Sequence, residues 1–159
     1  MKAFLISIGL VVGAWALGAA DGSTSVSYPD EYRKWVHVKS TLVGPQNPRF
    51  AANGGIHHFY ANEKALEGYR TGKFPNGSVL IDDLLEIKEQ GGVTSEGARR
   101  RVAVMVKDAA RYRDTSGWGF EIFKGDESAP TLNAEGKAAC FACHGKQTDR
   151  DSVFSQYRK

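Results

Sequence analysis

The residues best able to do chemistry in this chain form one run, Cys140-Phe-Ala-Cys143-His144, which holds its only two cysteines. Cys-x-x-Cys-His is the attachment signature of a c-type haem. The spacing suits the chemistry: two thiols add across the two vinyl groups of one haem, and the adjoining imidazole binds its iron. On this reading Cys140 and Cys143 carry one covalent haem c and His144 is the metal ligand. Three other readings stand beside it. A redox dithiol would open a helix after a strand in a βαβ unit. A zinc centre needs four ligands, and there is no second cysteine pair. A plain disulfide leaves His144 unexplained.

Other side chains are candidates for the far side of such a cofactor. Met105 is the one methionine besides Met1, and it is either a sixth iron ligand or a gap-filling core residue. His57 and His58 alternate on one extended stretch, so at most one faces a cofactor. Phe59, Phe74, Phe120, Phe123 and Phe154 either line a cofactor or form ordinary core. Arg70 is a partner for a propionate or a solvated helix-end residue. Asp82-Asp83 reads as a solvated strand end.

Elements must position these groups. The alternating run Trp35–Lys39, the β-rich Ile56–Tyr60, Ser78–Glu89, Arg101–Lys107 and Trp118–Phe123 read as strands. Arg101–Lys107 is apolar on both faces, with Val102, Val104 and Val106 on one and Ala103 and Met105 on the other, so each face needs a cover. Asn62 caps a short helix reaching Arg70, Asn76-Gly77 turns the chain, and Gly91-Gly92 breaks a strand, with Ser95–Gly97 extending the loop. Residues 133–139 are helix-prone and run into the cysteines. Strands close together in sequence favour an antiparallel sheet. The expected fold class is α+β, mainly antiparallel β-sheet with a few short helices and the haem attached near the C-terminus.

At 159 residues, 42% hydrophobic and 25% charged, the chain is one domain's worth, and collagen-like, coiled-coil and disordered classes are excluded. A net charge of +3 with no basic run longer than Arg99-Arg100-Arg101 gives no footing for nucleic acid. Residues 1–20 have a charged start, an apolar middle too short to span a bilayer, and the small exit Gly18-Ala-Ala20. They read as a cleaved signal peptide, residues 21–34 as a flexible arm, and residues 35–159 as the haem domain. The expected location is the periplasm, with no membrane in the mature form.

The sequence resembles the cytochrome P-460 family, which includes the cytochromes c′-beta. The resemblance rests on Tyr32-Arg-Lys-Trp35, Tyr60-Ala-Asn62, Thr71–Ser78, Gly117–Phe123, the Cys140–His144 run and Asp151-Ser-Val-Phe-Ser155. It implies a mainly antiparallel fold, a homodimer and a five-coordinate c-type haem. Members of one group oxidise hydroxylamine and carry an extra bond from a lysine to the haem ring. Members of the other lack that bond and bind nitric oxide and similar small ligands. Where the resemblance sets the cross-linking lysine this chain has Tyr69-Arg70, and arginine stays protonated and is a poor nucleophile. Lys73 is the nearest lysine that would serve if the register shifts. The expectation is a haem protein with an open distal site for nitric oxide or a similar ligand. The alternatives are a hydroxylamine-oxidising oxidoreductase and a Met105-ligated electron-transfer cytochrome. The redox partner protein is unknown.

Overall fold

The computed structural model describes residues 25–158. Residues 1–20, read as a signal peptide, lie outside the described residues, as do the first residues of the expected arm. No helix among the described residues is long and apolar enough to cross a membrane.

Five strands form one sheet in chain order: β1 Val36–Val43, β2 Gly55–Ala61, β3 Val79–Gln90, β4 Val93–Lys107 and β5 Trp118–Lys124. Every neighbouring pair is antiparallel. Three helices are inserted: α1 Phe50–Asn53, α2 Glu63–Thr71 and α3 Ala134–His144. This is the mainly antiparallel α+β fold that the strand spacing implies.

Register explains the two apolar faces of β4. Across the sheet Ala61, Leu80, Met105 and Phe120 stand in one row, and Tyr60, Ile81 and Val104 in the next. Side chains alternate along a strand, so these rows point to opposite faces. On the first face Val38, Ala61, Leu80, Trp118 and Phe120 pack with Ala65 of α2, Phe74 and Val153. On the second, Ile81, Val102, Val104 and Phe123 pack with Val26, Tyr32 and Tyr112. Burying apolar surface on both sides contributes roughly 25 cal/mol per Å².

The second face owes its cover to the segment expected to be loose. Val26 and Tyr32 are buried, and the Tyr28 ring stands edge-on to Phe123 at 5.0 Å. The polarity of residues 21–34 hides two apolar anchors and a polar one. Tyr32 Oη donates to Asp83 at 2.7 Å, and Arg33 donates to the same oxygen through Nε at 3.1 Å and Nη2 at 2.7 Å. Arg99 Nε donates to the other Asp83 oxygen at 2.8 Å. Asp83, expected to be solvated, is therefore fully buried. A buried carboxylate is tolerable only with such partners.

Two further differences have local causes. β4 begins at Val93, so Ser95–Gly97, expected as loop, is paired strand. The register slips between Leu84 and Leu85 and again between Leu85 and Ile87, which lets the ribbon continue past the rest of the sheet. Between β1 and β2, where the sequence reading sets no element, the chain makes the single turn α1, whose end carbonyls are held by arginines. Arg100 donates to the oxygens of Gly54 and Ala51, and Arg101 Nη1 donates to Ala52 O at 2.9 Å.

α2 is fixed at both ends. The Asn62 side-chain oxygen accepts from Ala65 N and from Val79 N, each at 3.0 Å, tying the helix start to β3. Gly72 ends the helix at φ 79°, a conformation that glycine adopts without a steric penalty. In α3 the Asn133 side chain accepts from Gly136 N at 2.9 Å, and no residue of the helix is fully buried.

Candidate cofactor site

Between α3, residues 153–155 and the first sheet face lies a cavity of about 490 Å³. That falls within the range of small-molecule and cofactor pockets, roughly 300–1,000 Å³. α3 contributes Cys140, Cys143 and His144 to its wall. On a helix, residues three and four apart share a side, so this spacing turns all three toward one space. Both cysteines are free thiols. Burial pushes the Cys140 thiol above its usual pKa, with Arg101 pulling it down and Glu121 pushing it up.

His144 is held by one nitrogen. Its Nδ1 donates to the Ser152 carbonyl at 2.9 Å, and its ring packs against Phe120, centroids 5.4 Å apart, and edge-on to Phe154 at 4.9 Å. Burial lowers its pKa, although the bond to Ser152 acts the other way. The imidazole is thus neutral at neutral pH, with its proton on Nδ1 and the Nε2 lone pair available. A bond from the second nitrogen to a carbonyl is how metal-binding histidines are commonly oriented.

The sheet side of the cavity is apolar at Phe59, Leu80, Ala103, Met105, Phe120 and Ile122. Among the phenylalanines singled out in the sequence, Phe59, Phe120 and Phe154 line it. The other two serve the core. Phe74 packs against Tyr69 and Trp118, and Phe123 lies on the opposite sheet face. Met105 lines the cavity and also packs against the first core cluster, so both of its expected roles fall at one position.

His57 and His58 do point to opposite faces, and His57 is the one at the cavity. It is no free ligand. Nδ1 lies 2.7 Å from Asp82 Oδ1 and Nε2 lies 2.8 Å from the Asn53 carbonyl, so both nitrogens face acceptors. Burial lowers the His57 pKa, but the bond and charge of Asp82 outweigh it and the net direction is upward. His58 is on the other side, Nδ1 at 2.7 Å from Ser40 Oγ and Nε2 at 2.6 Å from Glu96. Arg70 and Lys73 are both exposed and neither lines the cavity; from α2 only Tyr69 does. Burial, against a bond from Ser155, pushes the Tyr69 phenol up to about 12.

Three charged wall residues escaped sequence reasoning as cavity groups: Asp82, Arg101 and Glu121. Arg101 was legible in principle, since it shares the parity of Ala103 and Met105 on β4. Glu121 was not. It alternates away from Phe120 and Ile122, yet its Oε1 accepts from the backbone nitrogens of Ile122, Thr131 and Leu132 at 3.1, 3.1 and 2.8 Å. The Thr131 and Leu132 donors come from the chain folding back beside β5, where Pro130 bridges to Phe123.

The donor set chooses among the chemistries the cysteines allow. Among the described residues no three His, Cys, Asp or Glu side chains converge on one point, as a zinc centre requires. The thiols stand in the last turns of α3 and do not open it, unlike a redox dithiol. A single imidazole with a free nitrogen, beside two thiols and a large apolar cavity, suits an iron whose other ligands come with its own macrocycle. The class is that of haem proteins built on an antiparallel sheet. Residues 29–155 match the family described as Cytochrome P460, and the chain belongs to it. The match begins inside the segment read as an arm, in keeping with the packed Tyr32. No curated protein matches the chain by sequence.

Proposed function

We propose that the protein is an exported c-type haem protein with an open distal site that binds nitric oxide or a similar small, uncharged ligand. One observation carries the reading: His144 presents an unengaged Nε2 to a mostly apolar cavity whose wall also holds both thiols. Cys140 and Cys143 hold the haem by thioethers, His144 orients and ligates its iron, and the bound group supplies the redox-active metal. Phe59, Leu80, Ala103 and Phe120 exclude water from the cavity. His57 has both ring nitrogens engaged, Nδ1 with Asp82 and Nε2 with the Asn53 carbonyl, and so stays out of the ligand set.

The wall residues bear on the alternatives. No lysine lines the cavity among the described residues, and exposed Lys73 and Arg70 lie away from it, which supports a ring without a lysine bond. Hydroxylamine oxidation through such a cross-linked ring is the weaker reading. Met105 at the wall favours a second one, an electron-transfer cytochrome with a thioether as sixth ligand. Residues 1–20 direct export to the periplasm and are removed, and the homodimer implied by the resemblance belongs to the same proposal.

The optical spectrum of the purified reduced protein separates these readings. A broad high-spin spectrum that changes on adding nitric oxide supports the open site. Sharp α and β bands mean Met105 ligation, and a strongly red-shifted Soret band means a ring cross-link. Intact mass then has to show one added haem and the loss of residues 1–20. Absence of the haem mass after expression in a host that matures cytochromes c overturns the proposal. Sedimentation velocity reads the dimer.

A further inference from the structure

The carbonyl that meets His144 Nδ1 belongs to a short segment in an uncommon backbone state. Asp151 and Ser152 both have positive φ, 49° and 67°; aspartate visits this region singly, but two consecutive non-glycine residues there are held by their surroundings. The surroundings here are specific to Asp151. Its Oδ1 accepts from Lys107 Nζ at 2.7 Å and its Oδ2 accepts from Phe74 N at 2.9 Å. Its backbone carbonyl accepts from Trp118 Nε1 at 2.8 Å. Lys107 ends β4, Trp118 begins β5 and Phe74 lies between α2 and β3, so three separate parts of the fold converge on one aspartate. Lys107 is itself buried, donates to Ser116 O at 2.9 Å and stands over the Trp118 ring.

We infer that Asp151 is a positioning residue for the iron ligand: clamped by Lys107, Phe74 N and Trp118, it holds the Ser152 carbonyl on His144 Nδ1 and thereby sets the imidazole's orientation and its donor strength toward iron. This rests on the reading of His144 as the iron ligand. The physical link is direct. A carbonyl fixed on Nδ1–H adds electron density to the ring, which makes Nε2 a stronger donor and favours the ferric state. A carbonyl released to wander gives a weaker donor. Ser152 itself acts through its backbone, so its side chain is dispensable to the effect, whereas the Asp151 carboxylate is not.

The test uses the holoprotein and two variants, Asp151→Ala and Asp151→Asn. Resonance Raman of the ferrous form reads the iron–histidine stretch, and redox titration reads the midpoint potential. Asp151→Ala is expected to move the stretch to lower frequency and the potential in the positive direction. Asp151→Asn keeps an oxygen for Phe74 N but loses the charge facing Lys107, so it is expected to fall between Asp151→Ala and the parent. Loss of thermal stability with an unmoved stretch and potential means a purely structural aspartate and overturns the inference. If Asp151→Ala does not fold, the Asp151→Asn stretch decides. The unaltered protein supplies an independent reading: the His144 Nδ1 proton, seen by paramagnetic NMR, should exchange with water slowly, and exchange as fast as that of an exposed imidazole also overturns the inference. An unaltered ferrous protein that is five-coordinate and high-spin yet shows no iron–histidine stretch defeats the ligand reading instead, which keeps the two failures apart; in a six-coordinate protein the midpoint potential decides.

Discussion

Replacing Asp83 with alanine tests whether the face opposite the cavity holds the fold together. The carboxylate is fully buried and accepts from Tyr32, Arg33 and Arg99. Truncating one partner of a buried charged pair costs about 3–5 kcal/mol, most of it from the charges left behind. The Arg33 side chain is 47% exposed and can turn to water, so its share is discounted, while Arg99 at 16% cannot escape as easily. That leaves an expected loss of about 3–4 kcal/mol, or about 10 °C in melting temperature for a domain of this size. Tyr32→Phe removes one bond and should cost about 1–2 kcal/mol. Thermal and urea unfolding followed by circular dichroism read both. The optical spectrum of the cofactor should stay unchanged, because Asp83 points away from the cavity. A loss below about 1 kcal/mol for Asp83→Ala, or a spectral change at full folding, would refute the reasoning.

Other perturbations address separate links. His57 has a raised pKa, so its contribution is complete below about 6.5, the unfolded value, and is lost as pH rises through the higher folded value. Stability should therefore fall over that window, and His57→Gln should flatten the profile measured by urea unfolding. Gly68→Ala should destabilise by about 1–3 kcal/mol despite better helix propensity, because a Cβ there overlaps the Phe74 ring; chemical denaturation checks it. Arg70→Ala and Lys73→Ala should each leave the Soret position where it was, since both side chains are exposed and away from the cavity. His144→Ala should abolish the iron–histidine stretch while intact mass still shows haem bound through Cys140 and Cys143.

Local chemistry made part of this molecule legible. Asn62 announces α2 because capping is a contact within three residues, and Val102–Val106 announces a strand covered on both sides because parity is local. The cysteine run was legible for the same reason: one helix turn brings its members together. What stayed hidden was set by distant partners. Asp83 looks like surface until Tyr32 and Arg33 arrive from about fifty residues earlier in the chain. Ser95–Gly97 has loop composition, yet β3 gives it a ladder to join. The packed arm, the arginines that seat α1 and the backbone cradle of Glu121 are of the same kind. Each depends on which segments the sheet brings side by side, and composition does not carry that information.

α3 bears Cys140, Cys143 and His144, the three groups proposed to bond the cofactor, yet it buries none of its own residues completely. A helix of eleven residues with so little anchorage is marginal when left alone. On the proposed reading, haem attached at three of its side chains acts as a keystone as well as a reagent. The empty polypeptide should keep its sheet, whose far side closes without help, while this last helix breathes. Maturation then reads as a locking event, and hydrogen exchange at α3 amides, fast before haem and slow after, is its signature.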